Sequence, residues 1–498
     1  MGDSDINNDY VINRHASLRG QYKKEIIVNT EFSETRRFAG SDTGGDDVFG
    51  ATVSIHNKYA VVSAPGWDDA SGCEGCGSEG AIYYYVKGST WASRTETILT
   101  SSVKQNVMKI GTWEAASAYA NRYNALDVYN DTVVAGFSSW YDGSSDYPGA
   151  TFVWDKTKWG ETQNSVWREQ LLTASNKGHY DYFGTGVSAF GEYIAVGAPY
   201  EDTKNTSSGM VYIFQTASAN VGWNEKAQLV PEYGSGAYDE YGALFGACVY
   251  LTGSKPVNGT GANIRLLVGS YGKDKAVLWK KNEDDLYGWT QEAIISHPSG
   301  TTGVHFGAKV ALYENTLIVG APLEDIGVTN NGSVSIFKSS SAGGWTFHQG
   351  INLGSNYAGR AGGMLGLALD INGDYLAISS PHYSGSESGE GISQGGYDGR
   401  VFLYKSGSLS WSKIAEYQPH DHASWVTPQI GTCVSLSDGN LLYGARSAGS
   451  NASGSATIKE SLSYITYENV EPNFIKGIGG TFNLRGQTGT QNYKSSLK

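Results

Sequence analysis

An all-β chain folded as a seven-bladed β-propeller of four-stranded antiparallel blades, its last blade closed by an N-terminal strand, is the architecture this sequence predicts. Three observations predict it. Gly accounts for 66 of 498 residues against 11 Pro and 4 Met, so turns are frequent and glycine makes them. A pattern recurs along the chain with a period of about sixty residues, the mark of a repeat architecture. Each copy contains four short apolar runs with strand alternation, and none has the period of a helix.

The pattern is clearest in "YFGTGVSAFGEYIAVGAPYED", Tyr182 to Asp202. Its Phe-Gly step recurs at Phe49-Gly50, Phe183-Gly184, Phe245-Gly246 and Phe306-Gly307, and in degraded form at Leu365-Gly366 and Ile430-Gly431. In the remaining copy Arg122-Tyr123 occupies that place, and Ala125-Leu126-Asp127 aligns with Ala368-Leu369-Asp370. A first run follows the step ("ATVSI", "TGVSA", "AKVAL") and alternates. After a short turn, a second run ("YAVVSAP", "YIAVGAP", "TLIVGAP") is continuously apolar and predicts a strand buried on both faces, ended by a Pro that cannot continue a ladder. The third run opens at Gly ("GAIYYYV", "GMVYIF", "GSVSIF"), and the fourth begins near an aromatic, as at Trp167, Trp223, Trp289 and Trp411. Glycine at the step lets neighbouring backbones approach closely, and the Phe and Trp residues are expected to pack between blades.

The last copy supplies three clear strands. The fourth is expected from "YKKEIIVNTE", beginning at Tyr22, because a ring closed by both ends of the chain has no free sheet edge. The rival source is "SLSYITYENV" from Ser461. This divides the chain into an arm over 1–20, the propeller over 21–460 and a tail over 461–498 that is Gly, Thr and Asn rich and expected to be pinned by a partner. An insertion at about 101–121 contains "WEAASAYA", the best helix former present, and predicts a short helix.

A net charge of −13 without a basic run offers nothing to a phosphate backbone, so no nucleic-acid partner is expected. No apolar run is long enough for a membrane span, and the first residues lack the basic and apolar segments of a secretory signal. "CEGC", with Cys73 and Cys76, has zinc-like spacing, yet Cys248 and Cys433 fall in expected strands and no His pair completes a set. No metal is assigned, and Cys73 and Cys76 are read as a local disulfide or two thiols. His420 and His422 in "PHDHASW" would share one face of a strand, but loop histidines are more often simply solvated. No nucleophile elbow, P-loop or H-E-x-x-H occurs. The reading is therefore not an enzyme, with no catalytic residue and no cofactor.

Binding features are more evident. Long loops between second and third strands, such as His382 to Gly399, would gather on one rim, where Trp67, Trp140, Tyr141 and Tyr383 could stack on sugars or fill protein pockets.

The stretches "FGTGVSAFGEYIAVGAPYED" and "FGAKVALYENTLIVGAPLED" resemble the FG-GAP repeat, named for its Phe-Gly and Gly-Ala-Pro signatures. That family includes the propeller of integrin α chains and many bacterial, algal and viral surface or structural proteins. The resemblance spans about Phe49 to Ala445 and implies a seven-bladed propeller used for recognition and assembly. Integrin-type blades often hold calcium between the first and second strands. Here those connections are short, and even Asp370 to Asp374 offers too few oxygens, so no calcium is expected. Asp68, Asp202 and Asp325, each three residues past a Pro, are expected to bind loop N–H groups. The resulting expectation is a non-enzymatic virion component, on a phage tail or capsid surface, with other proteins of the assembly as partners and a cell-surface glycan or receptor as a further one. A secreted or cell-surface adhesin with sequons at Asn130, Asn205, Asn258, Asn331 and Asn451 is the first alternative. A polysaccharide-active propeller enzyme is the second.

Overall fold

The structure is a computed structural model that describes residues 22–44, 47–68, 80–102, 125–141, 143, 147–156, 167–216, 222–234, 240–254, 263–282, 285, 288–339, 344–354, 362–383, 398–418, 429–446, 453–470 and 486–487. The chain forms two compact units, residues 36–458 and residues 1–35 with 459–498. The first is the propeller. Six sheets of four consecutive antiparallel strands make blades 1 to 6, whose first strands are Val53–His56, Leu126–Tyr129, Gly186–Phe190, Cys248–Ser254, Lys309–Tyr313 and Leu369–Asn372. Blade 7 pairs Ile430–Ser437, Asn440–Ala445, Ser455–Val470 and Tyr22–Phe38 in that order.

The expected N-terminal strand therefore closes the ring, and the rival does not: Ser461 to Val470 continues the third strand of blade 7 instead of starting a new one. At the seam, Phe38 packs against Tyr85 with tilted rings 4.8 Å apart, and Trp91 of blade 1 donates its indole N–H to Asn440 Oδ1 of blade 7 at 2.9 Å. The second unit's described residues belong to those two long strands, of 17 and 16 residues against 4 to 8 in the other blade strands, together with Gly486–Gln487. Phe32 N–H donates to Ser461 Oγ at 3.0 Å, and Gly486–Gln487 pairs antiparallel with Asn469–Val470.

The recurring residues prove to be a latch between blades. The Phe of each step is fully buried, as at Phe49, Phe183, Phe245 and Phe306. In five junctions it bridges the Gly that opens the third strand of the preceding blade: Phe49 to Gly454, Phe183 to Gly149, Phe245 to Gly209, Leu365 to Gly332 and Ile430 to Gly399. The Gly of the step sits against the Gly of the preceding Gly-Ala-Pro. A Cβ on Gly197 would come within 1.8 Å of Gly246 O, and one on Gly136, which holds the same place in blade 2 without the Ala-Pro, within 1.8 Å of Gly184 O. Blade 4 solves the junction differently, with Asp274 in the left-handed region at φ 51° and its carboxylate accepting Phe306 N–H at 2.9 Å.

Second strands are buried almost end to end, as their continuous apolar runs predict for strands covered on both faces. Outside blade 4, whose connection lies beyond the described residues, first and second strands join through two-residue turns such as Asn57-Lys58 and Gly373-Asp374. Their first residues have φ between 44° and 63°, the geometry that matches strand twist in tight hairpins. Such turns have no room for a calcium loop. The predicted helix at "WEAASAYA" lies outside the described residues.

Candidate functional site

Two surfaces of the propeller gather chemistry. The first is the central channel, where one position of each first strand forms a ring: Ser54, Asp127, Ser188, Tyr250, Ala311, Asp370 and Ser435. Side-chain oxygens in this ring accept a backbone N–H from the next blade. Ser435 Oγ takes Ile55 N–H at 3.2 Å, Ser54 Oγ takes Val128 N–H at 3.2 Å, and Asp127 Oδ2 takes Ala189 N–H at 2.8 Å. Ser188 Oγ takes Leu251 N–H at 3.0 Å, and Asp370 Oδ2 takes Leu436 N–H at 2.7 Å. The belt follows from elementary chemistry, since a first strand lies at the axis with no further strand to pair its N–H groups. Tyr250 instead reaches Asp370 Oδ1 with its hydroxyl at 2.9 Å, and Ala311 has nothing to offer.

Asp127 also accepts the hydroxyls of Ser54 at 2.7 Å and Ser188 at 3.1 Å, and its own neighbour Val128 N–H at 2.9 Å. Four donors are thus aimed at one carboxylate. Burial still raises its pKa, with the bonds from Ala189, Ser54, Val128 and Ser188 opposing. Burial likewise pushes Asp370 up to about 6, against the Leu436 and Tyr250 hydrogen bonds and the positive charge of Lys309. Two carboxylates with raised pKa invite a catalytic reading, but their oxygens are occupied in holding blades together. They are hubs of the belt.

The second surface is an arc of aromatic side chains on the rim formed by second-to-third-strand loops and blade-to-blade connections. Tyr147 lies 5.9 Å from Tyr180, Tyr180 lies 6.3 Å from Tyr182, and Tyr182 lies 5.3 Å from Tyr200, all between ring centroids. Tyr200 hydrogen-bonds Tyr271, which packs 4.9 Å from His305. The arc thereby runs from blade 2 to the start of blade 5. Tyr147 is 43% and Tyr180 47% exposed, and Tyr141 and Tyr241 are also exposed. Tyr182 and His305 each precede a Phe-Gly step and stand in the left-handed region, at φ 53° and 57°. Below the arc the Asp181 carboxyl is pushed up to about 6, chiefly by burial, while a bond from Gly178 N–H opposes and Glu201 and Asp202 add to the rise.

The residues singled out from sequence are distributed unevenly. Of the four loop aromatics, only Tyr141 is exposed. Trp140 and Tyr383 are buried, and Trp67 is half-buried against the cluster of blade 1 and donates to Asp42, because each folds back onto its own sheet end. Asp202 and Asp325 do bind loop N–H groups, from Ser207 at 2.6 Å and Asn330 at 2.8 Å. Cys248 and Cys433 are buried in first strands, and the Cys433 thiol donates to Val53 O at 3.3 Å. Cys73, Cys76, His420 and His422 lie outside the described residues, as do Asn258 and Asn451. Among the described residues no group of His, Cys, Asp or Glu has the geometry to hold a metal, and no helix is long and apolar enough to cross a membrane. Sequence reading missed the belt, the arc and Lys309.

The glycine latch is what the Phe-Gly and Gly-Ala-Pro residues build, and the FG-GAP repeat family matches residues 32–85, 167–214 and 289–337. Three of the seven repeats match FG-GAP repeats. Those matches fall on blades 1, 3 and 5 of the propeller and include residues 32–38 of the strand that closes it. No curated protein matches the chain significantly. Solved structures similar to it include Sqt1 of Saccharomyces cerevisiae, at 10% identity and TM-score 0.43, covering 87% of this chain and 84% of that one. A candidate 6-phosphogluconolactonase of Bacteroides uniformis is 9% identical at TM-score 0.42, covering 86% of this chain and 95% of its own. Another, from Bacteroides fragilis, is 12% identical at TM-score 0.41, covering 84% and 91%. No activity is carried over from likenesses this remote.

Proposed function

We propose that this FG-GAP propeller is a non-enzymatic recognition component of a virus particle, on its tail or capsid surface, which engages a host surface or a neighbouring particle protein through the aromatic arc. The arc carries the reading. Tyrosine supplies large amphipathic contact area at small entropic cost, and aromatic residues dominate the energetic centres of interfaces. The exposed Tyr147 and Tyr180 rings, continued by half-buried ones across the neighbouring blades, are not needed to stabilise a propeller whose seams are already glycine and phenylalanine. The channel carboxylates, whose oxygens mostly hold blades together, support a binding role over a catalytic one. The paired edge strands of the second unit offer backbone for attachment within an assembly.

The test is the double substitution Tyr147→Ala with Tyr180→Ala. Binding of the labelled chain to host cells or to particles lacking it is expected to fall at least about tenfold, the loss of one interfacial anchor, with an unchanged melting midpoint. Wild-type binding by the double variant removes the arc from the account.

A secreted or cell-surface adhesin is the second reading, favoured by Asn130, an exposed sequon in a turn, and Asn205 in a loop. Asn331 is 1% exposed and cannot accept a glycan in the folded chain. Mass spectrometry decides between the two: sugar at Asn130 or Asn205 supports secretion, and fixed stoichiometry in purified particles supports the virion.

A further inference from the structure

We infer that the channel of the propeller is a binding site for a neutral polyhydroxylated ring, a single sugar unit, held between Lys309 and Asp370. This is independent of the rim, and either reading can fail alone.

The first-strand rings enclose a cavity of about 200 Å³, several times what one water needs. Lys309 lines it at 5% exposure. Among the described residues its ammonium has no hydrogen-bond acceptor and no ion pair. Asp370 feels its charge, yet the two do not form an ion pair. The stem of Lys309 is buried while its ammonium opens onto the cavity, and a fold that only needed the position filled could place an apolar side chain there, as the equivalent Ala368 and Cys433 show. Three donors are left aimed into the cavity. Facing them, Asp370 has one bond on Oδ2 and two on Oδ1, so one acceptor direction remains.

The ligand class follows from these groups. Two carboxylates against one ammonium disfavour a bound anion, and the carboxylates' oxygens are too occupied to gather a cation. A hydroxyl can accept from Lys309 while its neighbour on the same ring donates to Asp370, which a sugar does and a simple apolar or singly charged molecule does not. The mouth of the cavity adds a stacking surface, with His56 4.5 Å from Tyr129 and Tyr129 5.0 Å from Phe190. Such rings suit the C–H faces of a pyranose.

The test is calorimetric titration of the full chain with free glucose, galactose, mannose and N-acetylglucosamine, with acetate and inorganic phosphate as counter-ligands. At least one sugar is expected to bind, more than tenfold weaker to Lys309→Met and unchanged for Tyr180→Ala. Without sugar, Lys309→Met is expected to melt at or above the wild-type midpoint, since no protein hydrogen bond or ion pair of the ammonium is lost. Lys309→Gln, neutral but still able to hydrogen-bond, is expected to keep the wild-type midpoint and lose part of the affinity. Silence from every sugar, binding of acetate or phosphate in their place, or a clear drop in midpoint for both Lys309 variants overturns the inference.

Discussion

Gly197→Ala is expected to cost about 4 kcal/mol or more, enough to leave much of the chain unfolded or insoluble at 37 °C. The added Cβ would lie 1.8 Å from Gly246 O, 2.7 Å from its carbonyl carbon and 2.9 Å from its Cα. All three are backbone of the next blade, pinned by the hydrogen bond from Gly246 N–H to Gly269 O at 3.1 Å. The clash cannot be relieved by a rotamer change and must open the seam. The matched control is Gly191→Ala in a two-residue turn, with φ +63° and nothing within 4 Å of the new carbon. Its cost is only conformational, about 1 kcal/mol. Urea melts of the two variants check the contrast, and similar midpoints for both would mean that the blades do not touch through these glycines.

The second large effect is at Asp127→Ala, with an expected loss of about 3 kcal/mol in the same assay. The carboxylate accepts from Ser54, Val128, Ser188 and Ala189, so truncation strands donors from blades 1, 2 and 3 together. Relief of the buried charge and water entering the cavity offset part of that. Ser54→Ala should cost about 1–2 kcal/mol, because it removes the acceptor of Val128 N–H and one of the four donors to Asp127 while the other three remain, and Ala311 already occupies the equivalent place in blade 5. Equal effects of the two changes would show that the belt is not organised around the carboxylate.

Much of this fold was legible because propeller strands write themselves locally. Val61, Val196 and Val319 sit in continuous apolar runs that only a doubly covered strand requires, and the Phe-Gly and Gly-Ala-Pro residues mark where each run begins and ends. What those glycines touch was not legible, since Gly197 meets a residue 49 positions later in the neighbouring blade. The alignment of Asp127 with Asp370 was visible, but alternation alone labels them as the polar face of a strand and says nothing of a shared axis. Lys309 was hidden in the same way inside "AKVAL". The arc escaped because Tyr182 and His305 are turned outward by a left-handed backbone at the residue before the step, a conformation that neither side chain announces. Trp140 and Tyr383 misled for the opposite reason, as large aromatics in loops that fold back onto their own sheets.

Ring closure by the N-terminal strand underlies the seams, the channel and the rim alike. Its most direct measurement is the urea melt of a chain lacking residues 1–38. Loss of the single cooperative transition, with dye-accessible apolar surface around Tyr85, Trp91 and Leu442, is the predicted result. A truncated chain that melts in one step at the full-length midpoint would contradict it.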